Sequence, residues 1–368
     1  MKKRMDASRR QFIRSLTVAA GSSALTFCAR PSAQPTNTGC SLLKGKRIRW
    51  VVPHESGGGY DTLSRLIAQH LGTALDAQIL VETRGGAGGL IGSQQIRDAL
   101  PDGLTLGIVN ASGLMAPMLA GDHTVPNLLT EFTVLCRVSR SRHIWATGGM
   151  SPLRTAGDLF QLSLKRPVIF PINDVGSVGF ITATLTSQVL ELPVHVVAGY
   201  EGSRSGILAA LRGEVDVMTY NLDTIFAQIK SGEVRPVLQI SDEPLSNYKA
   251  FDGVPVLGGP NGLAVMRARS AGRDVERAQA DAHAIATIIG AGRLIVAPAG
   301  MDRELSACLA NTLKQAVASD AMQSVAKAAD LTLDVADGET AMAEIKDLGQ
   351  SIDRFVPIIQ SAIERIRQ

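Results

Sequence analysis

The chain has 368 residues, room for two ordinary domains and a processing segment. Aromatic residues make up only 4%, too few for the stacking platforms of single-stranded nucleic-acid or sugar sites. The formal charge of +3 belongs to the amino terminus: residues 1–33 hold seven of the 37 Lys and Arg and one of the 34 acids, leaving 30 against 33 beyond them, a net of −3. Nucleic-acid binding therefore lacks an electrostatic footing.

The amino terminus reads as a secretory signal. A basic stretch precedes an apolar run over residues 16–28, too short for a bilayer span of roughly 20 residues. Small residues and turn formers follow as far as Ala33. Arg9-Arg10 with Phe12 resembles a twin-arginine signal, with an ordinary signal as the alternative. Cys28 follows bulky Phe27, which argues against a lipid anchor there. The mature chain is expected to be soluble and periplasmic. Cys40, Cys136 and Cys308 are widely spaced with no CxxC pair. Scattered buried thiols are the expectation, with one pairing left open in an oxidising compartment; a zinc site is not expected.

Ile48 to Val52 is a β-rich run, and Gly57-Gly58-Gly59 follows it. Leu63, Leu66, Ile67 and Leu71 then share one helical face, with Asp61 placed to cap it. His70 falls on the core side of that helix. Ile79 to Glu82 is a second strand, broken by Arg84-Gly85-Gly86-Ala87-Gly88-Gly89. A helix through Ile96 and Leu100 ends at Pro101-Asp102-Gly103, and Leu104 to Val109 is a third strand. This β-α-β-α-β order predicts a parallel sheet with helices on both faces.

The pattern restarts at Val168-Ile169-Phe170, which leads into Gly176-Ser177 and a helix from Phe180 to Leu190. Val194 to Val197 is a strand, followed by Gly199-Tyr200-Glu201-Gly202-Ser203 and a helix through Ile207, Leu208 and Leu211. Val215 to Met218 and Val234 to Ile240 complete a second sheet, and Leu294 to Pro298 is a late strand. The stretch from Met266 to Ile289 shows no strand and reads as a connection or a helix on the first lobe. Ile345, Leu348, Ile352, Phe355 and Ile359 form the core stripe of one last helix.

The fold class expected is α/β: two lobes, each a mostly parallel sheet flanked by helices, with a cleft between. Residues 34–143 plus 244–368 form lobe 1 and residues 144–243 form lobe 2. Ligands in such sheets bind at the carboxyl ends of strands, where the glycine clusters sit. A glycine run before a helix exposes backbone N–H groups to an anion, and the helix dipole adds partial positive charge. Nucleotide readings fail on spacing: Gly45-Lys46 runs into Arg47, and Ile91 stands where a dinucleotide fingerprint needs its third glycine. Catalytic readings fail too, with no Gly-x-Ser-x-Gly elbow and no paired histidines. His54 lies beside the first loop, in reach of a ligand or of solvent, and Glu55 is expected to face solvent.

Val52-Pro53-His54-Glu55-Ser56-Gly57-Gly58-Gly59-Tyr60-Asp61 with Arg65 resembles the first ligand loop of the Bug receptors, the periplasmic binding proteins of tripartite tricarboxylate transporters. Glu82-Thr83-Arg84-Gly85-Gly86-Ala87-Gly88-Gly89 resembles their second loop, and Pro101-Asp102-Gly103-Leu104-Thr105-Leu106 the segment after it. Gly213 to Met218 and Ala297 to Gly300 follow in the same order. The chain departs from the family at Glu55-Ser56, Gly85 and Ala198 to Gly202. The resemblance implies a two-lobed Venus-flytrap fold, a small carboxylate held by backbone donors and water rather than a salt bridge, and delivery to membrane permease subunits. It carries over Gly57, Gly58, Gly59, Gly86, Ala87, Gly88, Ser177 and Ser203 as ligand-binding candidates. Ser112, Tyr60 and Tyr200 are added from their loop positions. No cofactor, no metal, no enzymatic activity and a monomer are expected; the alternatives are a sensing subunit for a signalling partner and, behind it, a periplasmic enzyme on a similar fold.

Overall fold

The computed structural model describes residues 39–367, apart from 55, 57–58, 87–88, 176, 201, 246–247, 329–332 and 348. The signal-peptide reading lies outside the described residues. β1 (Arg47–Val52), β2 (Gln78–Thr83) and β3 (Thr105–Asn110) pair in parallel, with β1 between the other two. α1 (Gly59–Leu75) and α2 (Leu90–Arg97) make the crossovers. β1 alternates between two cores: Ile48, Trp50 and Val52 enter one, and Val51 enters the other. Both faces are covered, which is why its apolar run is continuous. On α1, Leu63, Ile67, Leu71 and Leu75 are buried at i, i+4 spacing. His70 is only half-buried.

The sheet then turns antiparallel. β4 (Phe132–Ser139), β10 (Arg293–Pro298) and β11 (Ala336–Asp337) extend it to six strands in the order β11-β4-β10-β3-β1-β2. A second sheet of three antiparallel strands has β5 (His143–Gly148) between β8 (Met218–Asn221) and β9 (Val234–Ile240). β6 (Val168–Pro171) and β7 (Val194–Val197) form a separate parallel pair. The expected parallel order thus holds at β2-β1-β3 and β6-β7 and gives way elsewhere. The exceptions come from β10, which runs against both β3 and β4, from β11, which runs against β4, and from β5, which runs against both β8 and β9.

The sequence pattern predicts no strand at β4 or β5. Arg137, Ser139, His143 and Thr147 are buried there and interrupt the apolar run. The strand expected at Val215 to Met218 lies three residues later. Val215 and Val217 are buried in the turn before it, and Asp216 is drawn to Arg166 and the Ile169 N–H.

The stretch with no strand signal is two helices, α8 (Leu263–Ser270) and α9 (Val275–Gly290). α9 packs on α8 and on α5 (Val178–Leu190). The late stripe is also two helices: Ile345 belongs to α12 (Gly338–Lys346), and Phe355 and Ile359 to α13 (Gly349–Arg367). Asp61 is not the cap of α1 but the third residue in it. It pairs with Arg65 at 2.9 Å and accepts from the Ser56 hydroxyl at 3.2 Å. Cys40 and Cys308 form a disulfide, so these two are not the scattered thiols expected; Cys136 is a free buried thiol whose pKa burial pushes up to about 12. Among the described residues, no helix is long and apolar enough to cross a membrane.

Candidate ligand-binding site

Two adjoining cavities open where strands of both sheets end and helices begin. The larger, about 690 Å³, is lined by Tyr60, Asn110, His143, Asn173, Ser177, Ser203, Tyr220, Asn221, Asp223 and Arg293, among others. The smaller, about 470 Å³, is lined by Pro53, His54, Gly89, Leu90 and Ser93 on one side and by Asp174, Ser177 and Val178 on another. Asn110, Asn173, Ser177 and Val178 border both.

Local geometry brings the first two loops together. Gly89 precedes α2 at φ +100°, and a Cβ there would press on the Pro53 carbonyl at 3.0 Å and the His54 ring at 3.4 Å. A Cβ on Gly92 would sit 2.8 Å from the Arg84 carbonyl. Only glycine lets α2 approach the loop after β1 this closely. Ser93 donates to the Gly89 carbonyl, fixing the first turn.

The sequence-derived residues fall into three groups. Gly57, Gly58, Ala87 and Gly88 lie outside the described residues, so the structure says nothing of their positions. Tyr60, Ser177 and Ser203 line the larger cavity. Gly59 opens α1, and Gly86, at φ +117°, accepts from the Gly89 N–H at 3.0 Å. Ser177 caps α5: its hydroxyl accepts from the Phe180 N–H and donates to the Asp174 carbonyl at 2.8 Å. Ser203 lies in the first turn of α6 (Gly202–Arg212).

Gly86, Ser112 and Tyr200 are not brought to either cavity wall. Ser112 lies in α3 (Ala111–Leu119), and its buried hydroxyl donates to the Ile289 carbonyl at 2.7 Å. Tyr200 packs its ring against the core beside β5 and β8. Its backbone N–H donates to the Ile172 carbonyl at 3.2 Å.

The glycine-loop argument missed the polar residues of the cavity walls. Asn110 and Asn221 each end a strand and immediately precede a helix. That repeated strand-Asn-helix pattern was legible in the sequence. Arg293 and Asp223 carried no such signal, because β10 and the first turn of α7 (Leu222–Ser231) meet only in three dimensions. Arg293 donates to Asp223 Oδ2 at 2.9 Å and to the Ser139 hydroxyl at 3.1 Å. Its guanidinium lies 4.8 Å from the centre of the Tyr60 ring. Burial works against its charge, but Tyr60 and Asp223 outweigh that and raise its pKa above the ordinary value. A salt bridge therefore does occupy this cavity wall.

His54 and His143 are held neutral. Burial lowers His143 to about 4. Burial, and then the Arg293 charge, lower His54 to about 4 as well. His54 stacks on Tyr60 with ring centres 4.0 Å apart. Asn110 Oδ1, His143 Nδ1, Thr219 Oγ1 and His54 Nε2 are shielded from solvent and make no hydrogen bond among the described residues. Orphaned polar atoms are expensive in a protein interior; these four belong to residues of the cavity walls but are themselves covered by neighbouring protein atoms.

The model of the tripartite tricarboxylate transporter family receptor matches residues 63–260. Protein BugT of Bordetella pertussis is 26% identical over 259 residues, which cover 69% of this chain and 73% of BugT. A TctC solute-binding protein from Polaromonas, solved without ligand, has a TM-score of 0.64 at 17% identity and covers 86% of this chain and 98% of its own. MatC from Rhodopseudomonas palustris, solved with bound malate, has a TM-score of 0.62 at 19% identity over 85% of this chain and 99% of its own. These structures have the two-lobed α/β fold of periplasmic solute-binding proteins, and this chain shares it. Since the family model takes in more than half of the sequence, from within the first helix to beyond β9, the chain belongs to the tripartite tricarboxylate transporter receptor family.

Proposed function

We propose that this protein is an exported receptor that captures a small carboxylate in the paired cavity and delivers it to the membrane permease of a tripartite transporter. The observation that carries the reading is the convergence on the two cavities of the starts of helices α2, α3, α5, α6 and α7, at Leu90, Asn110, Ser177, Ser203 and Asn221. Helix starts present N–H groups and partial positive charge to an anion. Gly57 to Gly59 and Gly86 to Gly88 supply further amides, Ser203 supplies a hydroxyl, and Ser177, whose own proton goes to the Asp174 carbonyl, contributes the start of α5. The malate bound to MatC is in keeping with this chemistry.

Residues 34–143 with 244–368 act as one lobe and 144–243 as the other. Donors from both lobes make the closed state the one that the ligand favours. The protein works as a monomer in the periplasm, reached by the twin-arginine route and without a lipid anchor at Cys28. It binds without turnover, needs no cofactor and does not bind nucleic acid.

A thermal-shift screen of carboxylic acids on the mature protein tests this. A ligand at a hundred times its Kd adds about 2.7 kcal/mol of stability. At least one acid should raise the melting temperature and be recovered unchanged from the protein. A screen with no stabilising acid, or recovery of a reaction product, would overturn the reading. Co-purification with the permease subunits of a neighbouring operon tests delivery.

A further inference from the structure

Asp223 is a carboxylate in the wall of a cavity just assigned to an anion. It sits in the first turn of α7, and its Oδ2 accepts from Arg293. The two partners are unequally available. The Arg293 side chain is 6% exposed and the Asp223 side chain 23% exposed, so the cavity meets mainly the acid. Arg293 is also committed to the Ser139 hydroxyl and to the Tyr60 ring. Asp223 Oδ1, by contrast, makes no hydrogen bond among the described residues.

Charge counting sharpens the point. Among the described residues lining the larger cavity, Arg293 and Asp223 cancel, and burial keeps His143 neutral. The smaller cavity adds Asp122 and Asp174 with no Lys or Arg. A carboxylate entering with no positive group brings like charge toward these acids, which is unfavourable at short range in a partly dry site. A carboxylate that also carries an ammonium brings no net charge.

We infer that the ligand is zwitterionic, an amino acid or a close relative, and that Asp223 holds its ammonium group. Arg293 and Tyr60 position Asp223, leaving one carboxylate oxygen toward the cavity. An ammonium there makes a charge-assisted hydrogen bond. This rests on the carboxylate reading above and narrows it to a substrate class.

The test is calorimetric titration of the mature protein with acid pairs that differ by one ammonium: aspartate and succinate, glutamate and glutarate, 2-aminoadipate and adipate, phenylalanine and 3-phenylpropionate, leucine and 4-methylpentanoate. The amino member of the binding pair should bind at least tenfold tighter. Asp223→Asn, which keeps the shape and an acceptor for Arg293, should abolish that preference by weakening the amino member at least tenfold, while the plain acid binds no more weakly than to wild type. A plain acid that binds wild type as tightly as its amino partner overturns the inference and leaves the carboxylate reading standing. Equal weakening of both members in Asp223→Asn also overturns it. Failure of every acid, amino or plain, overturns both readings. Should Asp223→Asn not fold, the wild-type comparison decides alone.

Discussion

Cys40 and Cys308 are joined by a disulfide that ties the 3-10 turn Gly39–Leu43 to α10 (Arg303–Ala318) across 268 residues of sequence. Closing so long a loop restrains the unfolded chain strongly, by about 5.6 kcal/mol on the chain-entropy model. Replacing both cysteines by Ser should cost roughly 2–5 kcal/mol. Urea midpoints of oxidised protein, reduced protein and the double variant measure it. Coincident curves would mean that the link adds nothing. The bond also suits an exported protein, since disulfides persist in oxidising compartments.

Gly292 should be the most sensitive glycine near the cavity. It sits at φ +77°, and a Cβ there would overlap the Ser139 carbonyl and lie 2.8 Å from Arg140 Cα. Both backbones flank the Arg293 contact with Ser139. Gly292→Ala is expected to cost about 3 kcal/mol or more. Gly272 has a similar φ of +64° with open space around it. Gly272→Ala should therefore cost only about 1–2 kcal/mol, the backbone penalty alone. Equal shifts in the two denaturation midpoints would show that the overlap is relieved freely.

Stability should fall as the solution is acidified from pH 6.5 toward 4. His54 and His143 have folded pKa values of about 4 against an unfolded 6.5. Between those values the unfolded chain binds more protons, so unfolding is favoured as pH drops; above 6.5 the contribution is constant. Each histidine contributes up to about 3 kcal/mol. His143→Gln should flatten the slope of melting temperature against pH in that window. An unchanged slope would mean that His143 is not held neutral.

Binding and folding should separate by residue. Gly58→Val and Gly88→Val should weaken ligand binding at least tenfold by blocking close approach to the backbone. Ser177→Ala should change affinity little, since its one hydroxyl proton is donated to the Asp174 carbonyl. It should lose about 1 kcal/mol of stability, because Ser177 caps α5. Ser112→Ala should reduce stability and leave affinity unchanged, since its hydroxyl is spent on Ile289. Titration calorimetry beside thermal melts reads both quantities. Native affinity in both valine variants would move the site away from the glycine loops.

Some of this protein was determined locally. β7 and β9 lie at the positions that apolar patterning predicts, and β1, β2 and the helical face of α1 follow from the same signal. Each rests on the alternation of neighbouring residues, a local property. The glycines at 86 and 89 could be read the same way, because a positive φ is a demand that one residue meets by itself. Tertiary structure decided the rest. β4 and β5 carry buried Arg137, Ser139 and His143, whose polarity hides the strands until their partners are in place. The antiparallel half of the large sheet depends on β10 returning beside β3 and β4 from more than 150 residues away. Arg293 and Asp223 are 70 residues apart, one in strand β10 and the other in helix α7. No periodicity links them, because a charge pair is selected by distance in space and burial, and the sequence records neither. The glycine loops therefore marked the strand ends where the cavities open, and the fold decided which charges line them.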